Sequence, residues 1–127
     1  MRQKGQALIT LLVAISVAIS VLTGAIFTSI GQLKNTSRNI LGGETYYAAE
    51  TGAEYGLIKL MRDPSNCTGT DSLVLGSSSI TITYLVSGGS CMITSKAERG
   101  SLVKTVSLEA EYDSNKIFNY CCWKEIP

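Results

Sequence analysis

The chain has 127 residues, of which 11 are basic, 10 acidic and none His, and its formal charge is +1 with 45% apolar content. That length suits about one domain, and the absence of imidazole excludes Ser-His-Asp, Cys-His and His-based metal chemistry within the chain. Removing Arg2 and Lys4 with the first five residues changes the charge from +1 to −1, and no basic stripe of the kind nucleic acid demands is present.

The first predicted element is a helix. No charged side chain lies between Lys4 and Lys34, and Ala7–Ile30 holds only Ala, Leu, Ile, Val, Phe and Gly with a few Ser and Thr. At a rise of about 1.5 Å per residue such a run crosses a hydrocarbon layer of about 30 Å. A secretory signal has an h-region of only about 7 to 15 residues, so this run is too long for one. A plain membrane anchor fits the length, but Arg2 and Lys4 on one side are matched by Lys34 and Arg38 on the other, which leaves the charge rule for orientation nearly silent. Residues 35–127 remain for a small globular part, which rules out a large enzyme core.

Helical spacing continues from Asn35 to Met61, where Ala49, Ala53, Gly56 and Leu60 share one face and Glu50 and Glu54 form an acidic row on another. Small residues on the buried face would let a sheet approach closely. Gly42-Gly43 costs roughly 1 kcal/mol per Gly relative to Ala, which predicts a bend or a frayed turn there. Asp63-Pro64 ends the helix, because Pro disfavours helical geometry at the residue before it. Unbroken from Gln6 to Met61, the helix would run about 84 Å, far more than a small core could cover, so the expectation is a protruding stalk.

Beyond Pro64 the period becomes two. Ile80, Ile82, Tyr84 and Val86 alternate with Thr81, Thr83 and Leu85; Ser87-Gly88-Gly89-Ser90 marks a tight turn; Cys91, Ile93, Ser95 and Ala97 continue on one face. After a turn at Glu98-Arg99-Gly100-Ser101, Leu102, Val106, Leu108, Ala110 and Tyr112 return. The expectation is a three-stranded antiparallel meander that uses the helix as its partner surface. The tail Lys116–Pro127, with Phe118, Tyr120 and Trp123, either adds a short strand or is pinned by a disulfide; its aromatics cover a thin core or form a sticky tip.

Four cysteines, Cys67, Cys91, Cys121 and Cys122, all follow the apolar run. An even count in a small exported head reads as a disulfide framework with three possible full pairings. Cys67–Cys91 is favoured, with a bridge or a free thiol at the tail. Cys121 and Cys122 would be strained if joined to each other and lack zinc-knuckle spacing. The triplets Asn35-Thr36-Ser37 and Asn66-Cys67-Thr68 match a glycosylation pattern too short to be specific. Glu109, Glu111 and Asp113 on a strand read as a solvated face before they read as a calcium site, and Gly42-Gly43 and Gly88-Gly89 lack phosphate-loop spacing. No cofactor or metal is expected.

Arg2-Gln3-Lys4-Gly5, then Gln6-Ala7-Leu8-Ile9-Thr10 and the long apolar helix, resembles the N-terminus of type IV pilins and type II secretion pseudopilins. The stretch Tyr46-Tyr47-Ala48-Ala49-Glu50-Thr51-Gly52-Ala53-Glu54-Tyr55-Gly56-Leu57 is similar to an Ala- and Glu-rich segment of minor pilins, so the resemblance covers roughly Met1–Met61. It implies an α+β lollipop fold, with a leader (1–5), a transmembrane or filament-core helix (6–34) and a small head (35–127). A prepilin peptidase would cut after Gly5 and leave Gln6 as an often methylated N-terminus, with Leu8 and Ile9 at the apolar third and fourth mature positions. Two positions depart from the family pattern: Gln6 stands for the usual Phe or Met, and Thr10 for the usual Glu at the fifth mature position. Thr10 cannot neutralise a neighbour's N-terminal ammonium in an apolar core; in the family, subunits lacking that Glu include minor pilins and a tip pseudopilin.

The implied role is structural. The chain would be a pilus or pilus-like filament subunit, not an enzyme, held in the cytoplasmic membrane before assembly and in a cell-surface filament afterwards. Its partners would be other pilin subunits, the peptidase, the membrane and the assembly platform. The alternatives are a type II secretion pseudopilin and a membrane-anchored exported binding domain that never polymerises.

Overall fold

The computed structural model describes residues 2–112 and 118–127. One helix, α1 (Arg2–Arg62), is followed by five strands: β1 (Gly69–Leu75), β2 (Ser78–Ser87), β3 (Ser90–Arg99), β4 (Leu102–Tyr112) and β5 (Phe118–Ile126). The strands form one antiparallel sheet in the order β1-β2-β3-β4-β5. The architecture is α+β, with five strands in place of the three expected. The chain divides into two units, one up to Asn39 and the other Ile40–Pro127.

In the second unit a stripe of α1 is buried at Thr45, Ala48, Ala49, Gly52, Ala53, Gly56 and Leu60, the i, i+3, i+4 spacing of one helical face. It packs on the sheet face formed by Ile80, Ile82 and Tyr84 of β2, Cys91, Ile93, Ser95 and Ala97 of β3, and Val106, Leu108 and Ala110 of β4, all buried. Antiparallel register aligns these residues in rows: Ile82 opposite Ser95 opposite Val106, then Tyr84 opposite Ile93 opposite Leu108. The period of two seen in the sequence is thus the inward and outward alternation of the pleat. Val86 departs from it: at the end of β2 it is 61% exposed, although its partner Cys91 is buried. That hairpin closes through Gly88 and Gly89, both at positive φ (60° and 93°), the requirement of a two-residue turn that matches the strand twist.

Gly52 and Gly56 set the distance between helix and sheet. A Cβ on Gly52 would lie 2.5 Å from Ile80 Cγ2 and would also collide with Ser95 Oγ, and one on Gly56 would lie 2.8 Å from Ile93 Cγ2. Gly42 and Gly43, by contrast, have nothing within 4 Å of such an atom, and the helix runs through them unbroken. The frayed turn allowed for there does not form, since propensity is a weak force beside the packing that begins at Thr45. The helix does stop before Asp63-Pro64, where the Asp63 N–H still donates to the Lys59 carbonyl (3.0 Å).

Two strands lie outside the expected meander: β1, which the sequence does not mark, and β5, the strand allowed for in the tail. β1 shows no clean alternation, with only Asp71 and Leu73 half-buried, as suits an edge strand. β5 carries an irregularity opposite Ser107/Glu109, which breaks the period of its side chains. Of the tail aromatics, Phe118 packs on the core while Tyr120 (57%) and Trp123 (36%) are exposed. Asp113 and Lys116 lie outside the described residues.

The two glycine classes predict opposite effects. Gly52→Ala should destabilise the full chain in detergent by about 1 to 3 kcal/mol through overpacking. Gly42→Ala should be neutral or gain up to about 1 kcal/mol from helix propensity. Thermal unfolding followed by near-ultraviolet circular dichroism of the head's tyrosines and Trp123 checks both signs.

Candidate functional site

The apolar stretch of α1 carries its side chains uncovered. Leu8 and Ile9 are 63% and 65% exposed, and Leu11, Leu12, Val17, Ile19, Leu22 and Phe27 are all above half. The helix is long and apolar enough to cross a membrane, with a mean hydropathy of 2.4 over its most apolar 18 residues. Its polar residues are arranged to suit such surroundings. Thr10 Oγ1 donates to the Gln6 and Ala7 carbonyls (3.0 and 2.9 Å), Ser16 to Val13, Ser20 to Ser16, Thr23 to Ile19, and Thr28 and Ser29 to Ala25. Every Ser and Thr between Ala7 and Ile30 therefore spends its proton on its own helix. A free hydroxyl in hydrocarbon costs roughly 2 to 7 kcal/mol; these avoid most of that cost without any partner helix.

Gly5 and Gln6 lie in the first turns of α1, both exposed. Thr10 sits one helical turn after Gln6. Its hydroxyl is committed to two carbonyls, so it offers only oxygen lone pairs to any neighbouring cation, and no charge.

In the head, side chains from three elements converge on Asp71. Lys59 Nζ of α1 pairs with Asp71 Oδ2 at 2.5 Å, Tyr84 Oη of β2 donates to the same oxygen at 2.9 Å, and the Lys59 ammonium lies 5.3 Å from the Tyr84 ring centre. The Lys59 hydrogen bond, with that of Tyr84, holds the Asp71 carboxyl below its ordinary value, whereas burial and then Asp71 itself push the Tyr84 phenol up. This cluster ties the edge strand β1 to the helix. Sequence reasoning missed it because its members are remote in the chain. At the opposite end, Glu44 of α1 pairs with Arg99 of β3.

The cysteines pair as Cys67–Cys91 and Cys121–Cys122. The first bond, with Cα atoms 5.8 Å apart and both residues buried, fastens the segment after α1 to the start of β3. It lines a cavity of about 180 Å³ with Leu60, Val86, Ala110 and Phe118. The second joins adjacent residues, the pairing expected to be disfavoured, and Cys122 takes φ 64° to allow it. A Glu109 oxygen and the two tail sulfurs lie within 4.8 Å of one another, but Glu109 accepts a hydrogen bond from Ser90 Oγ and the sulfurs are bonded to each other. Glu109 and Glu111 point to the half-buried or exposed outer side of β4.

No family model, curated protein or solved structure matches the chain.

The Asp71 cluster predicts an acid dependence. A carboxyl whose folded pKa is depressed contributes stability above its unfolded value, here near the ordinary 3.8, and loses it as pH falls through the folded value. Asp71→Asn should lower the melting temperature at pH 7 and flatten its decline below about pH 4. Melting curves of both chains across pH 2 to 7 measure this.

Proposed function

We propose that the chain is a structural subunit of a type IV pilus or pilus-like filament. It enters the membrane as a single-span protein and assembles through its N-terminal helix. The observation that carries this reading is the uncovered apolar run from Ala7 to Ile30 with every hydroxyl satisfied internally. At about 1.5 to 3 kcal/mol for each large apolar side chain taken out of water, more than a dozen of them favour an apolar environment by on the order of 20 kcal/mol. A bilayer supplies that environment before assembly, and a bundle of like helices supplies it afterwards.

The leader-like residues Lys4-Gly5-Gln6 distinguish this reading from a permanent anchor. A prepilin peptidase cutting after Gly5 would remove Arg2 and Lys4, leaving no side-chain charge before Lys34 and only the Gln6 ammonium to accommodate. Without side-chain charges at its start, the helix can leave the bilayer for a filament core. The head then decorates the surface, and its role is packing and display, not catalysis or nucleic-acid binding.

Thr10 favours a rare or terminal place in such a filament. A subunit within the filament must bury its N-terminal ammonium, and an unpaired buried charge costs several kcal/mol. Thr10 offers a neutral oxygen where a carboxylate would neutralise that charge. A subunit with no neighbour to serve at that position avoids the problem.

Two measurements test this. Intact mass and N-terminal analysis of membrane-extracted protein should give a chain starting at Gln6, and Gly5→Leu should keep the leader; a mature chain retaining Met1–Gly5 would make the protein a simple anchor. Quantitative mass spectrometry of sheared filaments should find this chain at low abundance beside a subunit with Glu at the fifth mature position, and Thr10→Glu should leave incorporation unchanged or raise it. Finding this chain as the dominant component would overturn the minor-subunit reading.

A further inference from the structure

The edge strand β5 contains a covalent feature that neither the sheet nor the helix requires. Its pairing with β4 shifts between Ser107↔Lys124 and Glu109↔Cys121, so two residues, Cys122 and Trp123, lie opposite the single residue Leu108. This is a β-bulge, and such bulges often place one residue in the left-handed region, where glycine is the usual occupant. Here that residue is Cys122 at φ 64°, the only non-glycine with positive φ among the described residues, and it is bonded to the residue before it. The small ring closed by two adjacent cysteines restricts the backbone of both, and it is what holds a side-chain-bearing residue in a conformation L-residues avoid.

We propose that Cys121–Cys122 is a thiol-reactive redox site whose opening by an external dithiol frees the bulged stretch of β5 from β4. A thiolate of the dithiol attacks one of the two sulfurs, forming a mixed disulfide and releasing the other as a thiol. The second thiol of the reagent then displaces the remaining cysteine. The reagent leaves as a disulfide, and Cys121 and Cys122 take up two electrons and two protons.

Access makes the site selective. Cys121 and Cys122 are exposed, whereas Cys67 and Cys91 are each 6% exposed beneath the end of α1. Position makes it consequential. β5 pairs only with β4, and its side chains from Asn119 to Ile126 are exposed, so little buried area resists rearrangement once Cys122 returns to negative φ. Phe118, packed on the core, keeps the start of the strand in place. The inference does not depend on the filament reading.

The test uses the full chain in detergent, limiting dithiothreitol, alkylation with iodoacetamide, peptide mass mapping and amide hydrogen exchange. Cys121 and Cys122 should be alkylated at reductant concentrations that leave Cys67–Cys91 closed, and residues 119–126 should then exchange roughly tenfold faster while β2 and β3 are unchanged. In the double variant Cys121→Ser, Cys122→Gly, glycine accepts the left-handed conformation without the ring, so β5 should exchange as slowly as in the oxidised protein with or without dithiothreitol. Cys121→Ser with Cys122→Ser should match the reduced protein. The proposal is overturned if Cys67–Cys91 opens at the same reductant concentration, if reduction leaves β5 exchange unaltered, or if the glycine variant exchanges as fast as the serine one.

Discussion

At Gly52 and Gly56 the backbone of α1 lies against the side chains of β2 and β3, so close that a single methyl on either residue would collide with Ser95, Ile80, Ile93 or Ile82. Most of the head's packing follows from that approach. The fully buried helix stripe is small: Thr45, Ala48, Ala49 and Ala53 flank the two glycines, while Tyr46 and Leu57 pack from its margins and Leu60 closes its end. The sheet opposite must keep one shallow position, and Ser95 and Ala97 provide it on β3. Ser95 fills that position at a cost. Its hydroxyl is fully buried and, among the described residues, is the buried side-chain polar group without a hydrogen-bond partner. An unpaired hydroxyl costs about 1 to 3 kcal/mol, comparable to forcing a larger apolar side chain into that gap.

The perimeter of the head is fastened by links of different kinds. Lys59, Asp71 and Tyr84 join helix and edge strand by charge and hydrogen bonds, and the shared carboxylate makes the three interdependent. Cys67–Cys91 closes a loop with a sequence separation of 24, which in the chain-entropy picture contributes about 3.5 kcal/mol. A small head buries a smaller fraction of its surface than a large domain does, so such links weigh more in its stability. β5 lies outside this scheme, held by backbone pairing, by Phe118 at one end and by an exposed Lys104–Glu125 ion pair near the other. Exposed pairs of that kind contribute little.

The same helix meets two environments, and residue choice changes with them. From Ile40 onward it is one-sided, with a narrow buried stripe and Glu44, Tyr47, Glu54 and Ile58 facing out. Between Ala7 and Ile30 it is apolar on every side, with hydroxyls turned back onto their own backbone. The first pattern needs one partner surface, and the second needs an apolar surround.

Much of this was legible before any fold was known, because it depends on neighbours within a few residues. The absence of charge from Gly5 to Leu33, the small-residue stripe at Ala49, Ala53, Gly56 and Leu60, the stop at Asp63-Pro64 and the alternation through β2, β3 and most of β4 are local consequences of spacing. Gly52 lay within reach of the same reasoning, since it stands one turn before Gly56. Tertiary structure decided what depends on residues far apart. Asp71 gives no sign in the sequence that Lys59 and Tyr84 will meet it, and β1 becomes a strand because β2 offers an edge, not because its own pattern alternates. β5 hides its period behind an inserted residue. Of the cysteine pairings, Cys67–Cys91 is the one favoured from the sequence, whereas the bond between the adjacent Cys121 and Cys122, disfavoured there, is seen only in the fold, together with a bulge and a positive φ at Cys122. Gly42-Gly43 stays helical for a related reason: packing farther along the helix outweighs a local preference of about 1 kcal/mol per residue.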